Sequence, residues 1–271
     1  MGRFLRLRGG LVRGPACERE NAYAHGMSAN IQPVAIVTGA GSGIGQATAR
    51  TLARSGLQVV LVGRREAALE ETAASLPDGA ESLCIPLDVS DPAAGEEMVA
   101  GCIARFGRLD VLVNNAGIAP MLPIDKTDAA TIEQVYMTNA VGPACAIAAA
   151  WPVFMRQHAN ADFSPIGHRI VNISTLGTAD PFPGFFAYAA SKASLNLMAQ
   201  SCALEGKPFA VKAFAIAPGA VETSMLRAIF PETVLPASKC MSPQKVAEEI
   251  LACVMGERDG LNGKTIYLRG D

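Results

Sequence analysis

Charge is scarce in this chain. Only 18% of its 271 residues are Asp, Glu, Lys or Arg, and the formal net charge is -2. That balance supplies no basic face for nucleic acid and no pull towards an anionic membrane, so neither is expected as a partner. Histidine is scarcer still: His25, His158 and His168 form no cluster and stand at no zinc-ligand spacing. The seven cysteines (17, 84, 102, 145, 202, 240 and 253) include no CxxC pair. A metal centre is therefore not expected. Several of these cysteines sit inside apolar runs, and an odd number without a pairing pattern suits a reducing, cytoplasmic setting. Long apolar runs are missing too. No stretch reaches about 18 uninterrupted apolar residues, the length a membrane helix needs. The run AVGPACAIAAAWPVF (140–154) comes nearest, but Gly142, Pro143 and Pro152 break it.

What is present is apolar: half of the residues, enough for a sizeable core in one large domain or two small ones. Residues 1–26 stand apart, with five arginines against two glutamates and no apolar segment of a secretory type. They are read as a disordered leader or a misassigned start, with a domain running over 27–271. From Pro33 onward, short β-branched runs alternate with helix-like segments. The strand candidates are 34–38, 58–62, 82–87, 109–113, 169–173, 211–216 and 264–268; helices are expected at 44–56 and 92–107, among others. Near-continuous apolar strands separated by helices indicate a parallel sheet covered on both faces. The expected fold is a single α/β domain, a Rossmann-like doubly wound sheet of about seven parallel strands.

The first strand candidate runs into TGAGSGIG (38–45), with Gly39, Gly43 and Gly45 at the strand-to-helix turn. A tight turn, close approach of backbone to a pyrophosphate and free N–H groups at a helix start are what a dinucleotide needs there. Ser42 and Ile44 complete the loop. The second strand ends in LVGRRE, where Gly63 occupies the place of an acid that would bind ribose hydroxyls, and Arg64 follows. A guanidinium suits a 2′-phosphate, which favours NADP over NAD, although NAD stays possible. Asp88 follows the third strand and is read either as an adenine contact or as a helix cap. The fourth strand ends in NNAG (114–117), so Asn115, Ala116 and Gly117 lie at the carboxyl edge where such sheets bind ligands. The asparagines could equally serve the turn alone. Farther on, YAASK places Tyr188 four residues before Lys192, neighbours on one helix face.

Taken together, TGAGSGIG (38–45), LDVSD (87–91), NNAG (114–117), YMTNAVGP (136–143), IVNIS (170–174), YAASK (188–192) and APGAVET (217–223) resemble the short-chain dehydrogenase/reductase family, over roughly residues 33–268. The resemblance implies an NAD(P)-dependent oxidoreductase that interconverts a carbonyl and a secondary alcohol by hydride transfer. It makes Tyr188 the general acid/base, and Lys192 the group that lowers its pKa and holds the nicotinamide ribose. Asn139 then supports a proton relay through water, with an amide bonded to backbone as the structural alternative. Pro218, Gly219, Val221 and Thr223 belong to the loop over the nicotinamide, with Thr223 read either as a carboxamide contact or as a helix cap.

One position departs from the family pattern. The usual catalytic serine is replaced by Thr175 in ISTLG (173–177). Three readings compete: Thr175 substitutes, Ser174 serves after a register shift, or catalysis is impaired. Thr175 retains a hydroxyl, so we take it as the substitute and the enzyme as active. The rivals are a cofactor-binding regulator with weak turnover and a lyase or isomerase on the same fold. Ser42 also departs, since many NADP-preferring relatives carry a basic residue there, and this leaves Arg64 as the main support for NADP. The segments 176–187 and 224–241 should enclose a mostly apolar small-molecule substrate. They carry Phe182, Phe185, Phe230 and Met225, with Arg227 or Lys239 available to an anionic group. The helices near 127–154 and 186–206 resemble the surfaces through which relatives form homodimers and homotetramers.

Overall fold

The computed structural model describes residues 31–270, and the leader reading of 1–26 lies outside the described residues. The strands are β1 (Val34–Thr38), β2 (Gln58–Gly63), β3 (Ser82–Pro86), β4 (Val111–Asn114), β5 (His168–Ile173), β6 (Val211–Pro218) and β7 (Thr265–Leu268). Between them run α1 (Gly43–Arg54), α2 (Glu66–Ala74), α3 (Ala94–Phe106), α4 (Ala129–Tyr136), α5 (Gly142–Ala159), α6 (Phe186–Glu205), α7 (Ser224–Ile229) and α8 (Pro243–Val254).

All seven strands pair in parallel, in the order β3-β2-β1-β4-β5-β6-β7. Successive residues of a strand face opposite sides of a sheet, and the packing follows this alternation. Ala35 and Val37 of β1 join one buried cluster, with Leu52, Phe214 and Ile250. Val34 and Ile36 join the other, with Met98, Phe154 and Ile170. Both faces of the sheet are therefore covered, which is why the central strands read as unbroken apolar runs.

The order reverses between β1 and β4, and a crevice opens outside the carboxyl ends of strands at such a switch point. The loops after β1 and β4 meet there. Thr38 ties them: its hydroxyl accepts from the amides of Asn115 (3.0 Å) and Ala116 (3.1 Å).

Residues 129–159 form a continuous helical run, interrupted only by a π-helical turn at Met137–Val141. By length and composition this run could cross a membrane, but in the fold its apolar stripe is used internally. Ala146, Ala150, Val153 and Phe154 are buried in the core. The small residues near its start allow α3 to approach closely: a Cβ on Gly95 would lie 2.7 Å from the Cys145 carbonyl carbon.

Candidate active site

One cavity of about 840 Å³ opens at the carboxyl ends of the strands. Its wall contains Gly39, Ser42, Gly43, Ile44, Arg64, Asp88, Asn115, Ala116 and Gly117 from the first half of the chain. Thr175, Tyr188, Lys192, Pro218, Gly219, Val221 and Thr223 come from the second half. Of the catalytic and cofactor-binding candidates, Gly45 and Asn139 are not on that wall and stand behind it.

Gly45 is where α1 meets the loop after β1. A Cβ there would sit 2.1 Å from the Gly39 oxygen and 2.5 Å from Asn115 Nδ2, so only glycine fits. Gly39 and Gly43 adopt φ of +68° and +54°, the left-handed region that glycine occupies without strain. The Ser42 side chain does not cap α1, and the first helical backbone bond runs from Gln46 N to Ser42 O. The first N–H groups of α1 thus have no partner within the helix, at the positive end of its dipole, and Gly43 and Ile44 border the cavity. This cradle fits a dinucleotide pyrophosphate.

Asn115 takes the structural role that the sequence left open. Its Nδ2 donates to the Thr38 carbonyl at 2.8 Å, which clamps the glycine loop. Asn114 is buried and donates to Asn172 Oδ1 at 3.0 Å, and Asn172 in turn donates to the Leu195 carbonyl of α6 at 3.2 Å. Sequence reasoning missed Asn172, a polar residue inside an apolar strand that ties β4 to the helix carrying Tyr188 and Lys192.

Asp88 accepts from the Ser90 amide (3.0 Å) and hydroxyl (2.8 Å), a local turn cap at the cavity edge. Desolvation pushes its pKa up, but the Ser90 hydrogen bonds and the charge of Arg64 outweigh this and hold it below the usual carboxylate range. Among the described residues the Arg64 side chain makes no hydrogen bond or ion pair of its own, and it borders the cavity. Thr223 caps α7, accepting from Leu226 N at 3.2 Å, and its methyl group lies 3.0 Å from where a Cβ on Gly43 would stand.

Thr175 and Ser174 separate as strand alternation requires. Ser174 is buried, and its hydroxyl donates to the Lys192 carbonyl at 3.2 Å, turned towards α6. Thr175 stands just past the end of β5, accepts from Gly177 N at 3.3 Å, and shares the cavity wall with Tyr188. Burial raises the pKa of the Tyr188 phenol, and the neighbouring Thr175 hydroxyl pulls the other way. The sequence-based expectation that Lys192 lowers the Tyr188 pKa needs correction for this geometry. Lys192 Nζ donates to the Ile173 carbonyl at 2.8 Å, and burial brings its own pKa down to about 8.

Asn139 lies in the π-helical turn, a feature common at functional sites that the sequence did not announce. Its Oδ1 accepts from Ile118 N and its Nδ2 donates to Ile118 O, both at 2.9 Å. Nδ2 also donates to Ser191 Oγ at 3.1 Å, whose hydroxyl donates to the Tyr188 carbonyl at 2.7 Å. The amide therefore joins the loop after β4 to the first turns of α6. Gly117 keeps the space beside it open: a Cβ would lie 3.1 Å from Lys192 Nζ.

Comparison with known proteins agrees with this arrangement. The short chain dehydrogenase family model matches residues 33–233. An uncharacterized oxidoreductase of Bacillus subtilis is 30% identical, covering 88% of this chain and 96% of its own length. A short chain dehydrogenase/reductase of Aspergillus oryzae is 32% identical, over 86% of this chain and 92% of its own. Among solved structures, 3-ketoacyl-(acyl-carrier-protein) reductase from Brucella melitensis, complexed with NADH, superposes with a TM-score of 0.80 at 26% identity. That match covers 88% of this chain and 97% of the reductase. Levodione reductase gives the same TM-score and identity, covering 89% and 98%. By its family match, its relatives and its sheet order, the chain belongs to the short chain dehydrogenase family and is an NAD(P)-dependent oxidoreductase.

Proposed function

We propose that this enzyme interconverts an apolar, uncharged carbonyl compound and its secondary alcohol, with Tyr188 as general acid/base, Thr175 as the second hydroxyl at the substrate oxygen, and NADP as the preferred cofactor. The observation that carries the reading is the convergence of Thr175, Tyr188 and Lys192 on one cavity wall at the carboxyl ends of the strands. Both hydroxyls can point at one substrate oxygen. In reduction, Thr175 donates a hydrogen bond that polarises the carbonyl, and Tyr188 delivers a proton to the oxygen as negative charge develops there. In oxidation, the phenolate removes that proton. The nicotinamide, when bound, supplies or accepts the hydride. A phenol with a raised pKa is protonated at neutral pH, the state that reduction requires. Both structural neighbours are named as reductases, which supports the same direction.

Arg64 supports the cofactor preference, since a guanidinium at the cavity edge suits a ribose phosphate. The substrate side is lined by Leu176, Phe182, Phe185, Met225, Ile229 and Phe230. Neither Arg227 nor Lys239 is on the wall, so no lid cation awaits an anionic group. Exposed Met155, Leu197 and Leu204 on α5 and α6 support assembly into a homodimer or homotetramer through those helices.

The test is optical turnover with NADPH and NADH over neutral ketones and aldehydes. It compares wild type with Tyr188→Phe, Thr175→Ser, Thr175→Ala and Arg64→Ala. Tyr188→Phe should lose about 10²–10⁴-fold, the usual contribution of a positioned acid. Thr175→Ser should stay near wild type while Thr175→Ala falls well below it. Arg64→Ala should move the kcat/KM ratio towards NADH. An active Tyr188→Phe, or a Thr175→Ala enzyme equal to wild type, overturns the assigned roles. A wild type that binds cofactor and turns over nothing sinks the enzymatic reading itself.

A further inference from the structure

The segment between β6 and α8 leaves the sheet and returns to it, and its base is pinned at both ends. Val221 bridges Met241, Met241 N donates to Ala220 O at 2.9 Å, and Glu222 N donates to Met241 O at 2.9 Å. Nothing in that pairing fixes the middle of the excursion. The middle nonetheless has a second anchor, made by one side chain.

Arg227 sits on α7, off the cavity wall, with its side chain 19% exposed. Its Nε donates to Glu222 Oε1 at 2.7 Å, and Nη2 donates to Glu222 Oε2 to complete a fork. Nη1 donates to two backbone carbonyls farther along the same excursion, Leu235 at 2.7 Å and Phe230 at 3.1 Å. Nη2 also approaches Cys240 Sγ at 3.7 Å. One planar group thus ties the start of the excursion to its middle and its end, and the fixed fork geometry of arginine makes this possible.

Phe230 is where that anchor reaches the site. Its ring meets Phe182 edge-on at 6.0 Å and lies 6.3 Å from Phe185, which packs on Tyr188 at 5.5 Å. The carbonyl held by Arg227 belongs to the residue whose ring closes this aromatic wall. We propose that Arg227 is a positioning residue, whose clasp on Glu222 and on the Phe230 and Leu235 carbonyls holds residues 224–240 closed over Tyr188 and so sets the affinity for substrate. The inference rests on the carbonyl-reductase reading above. It also explains why a lid cation is withheld from the substrate, its donors being spent on the chain itself.

The experiment uses the full chain and three variants: Arg227→Met, which keeps the aliphatic bulk, Arg227→Lys, and Glu222→Gln. Three quantities are read: the KM and kcat for a neutral aryl ketone, the NADPH dissociation constant by cofactor fluorescence, and the rate of chymotryptic cleavage within 224–240. Arg227→Met should raise KM about 10- to 100-fold, the range expected for hydrogen bonds to a charged group, with a smaller change in kcat. Cleavage after Met225 or Leu226, neither of which precedes a proline, should accelerate, while NADPH affinity moves less than about threefold, because Arg227 does not border the cavity. Arg227→Lys should recover only part of the loss, because an ammonium cannot fork to the carboxylate and reach both carbonyls. Should Arg227→Met fail to fold, Glu222→Gln provides the same readings with one carboxylate charge removed. Wild-type KM and cleavage rates in these variants overturn the proposal. If wild type reduces no ketone, the cleavage comparison still decides the clasp, so failure of the two readings can be told apart.

Discussion

Lys192 is enclosed between β5 and α6, only 3% exposed, with its ammonium on the Ile173 carbonyl. Burial disfavours the charged form and brings its pKa down to about 8 from 10.5. Two consequences run in opposite directions as pH rises. Catalysis that uses the ammonium should weaken above pH 8, so kcat/KM for reduction should fall about tenfold per unit there, as a single ionisation requires. Stability should do the reverse. Between about 8 and 10.5 the unfolded chain keeps this proton and the folded chain has lost it, so this residue's contribution to stability rises with pH. A rate that falls while the fold does not weaken separates Lys192 titration from alkaline unfolding. The check is a pH–rate profile of wild type and Lys192→Met, with melting curves at the same pH values. Lys192→Met should be slow and should lack the break near 8; a break retained in the variant would assign it elsewhere.

The strand–loop–helix unit from β1 to α1 shows how an element is set by close approach rather than by affinity for any one residue. The glycine spacing was readable in the sequence as a phosphate loop, because a tight turn and a helix start make unusual demands on backbone. The sequence could not show which glycine is sterically fixed by the neighbouring loop, since Gly39 and Asn115 lie 76 positions apart. Gly45 bears that constraint. Gly45→Ala should drive the Gly39 carbonyl and Asn115 apart, cost about 1–3 kcal/mol as overpacking does, and weaken NADPH binding more than tenfold. Gly260→Ala is the matched control: nothing lies within 4 Å of a Cβ there, so its melting temperature and NADPH affinity should stay at wild-type values. Equal behaviour of the two variants in a melt and a fluorescence titration would show that the β1–α1 contact is not what organises the cradle. A similar limit applies to the turn at Met137–Val141. Its sequence, MTNAV, reads as ordinary helix, and the widened turn follows from Asn139 bonding to Ile118 on another loop.

At the scale of the molecule, the sheet was legible because its interior strands are buried on both faces. Strand starts and ends anticipated from the apolar runs lie within two residues of those observed, from Val34–Thr38 to Thr265–Leu268. Tyr188 and Lys192 were legible for another reason, helical spacing together with the company of the other motifs. The polar groups that join layers were not legible: Asn172 lies inside an apolar strand, Ser191 and His168 stand beside charged residues, and only tertiary packing gives them partners or denies them. His168 is denied. It begins β5 fully buried, stacks on Phe154 at 5.0 Å, and neither ring nitrogen has a hydrogen-bond partner among the described residues. Desolvation lowers its pKa to about 4, with Asp110 and Asp162 opposing and His158 and Arg108 assisting. The sign follows directly. Below the unfolded value of 6.5 the unfolded histidine takes a proton and the folded one refuses it, so stability falls as pH drops from 6.5 towards 4. At 1.36 kcal/mol per unit, the loss assigned to this one ring reaches roughly 3 kcal/mol. His168→Phe keeps a ring against Phe154 and removes the proton site. Carboxylates that titrate in the same range act on both proteins, so they cancel in the difference between them. Denaturant melts of wild type and His168→Phe from pH 7.5 to 4 should therefore diverge progressively, with the variant losing less. Parallel curves would mean that the buried histidine finds a proton-accepting environment in the folded state, and that acid sensitivity in this protein arises elsewhere.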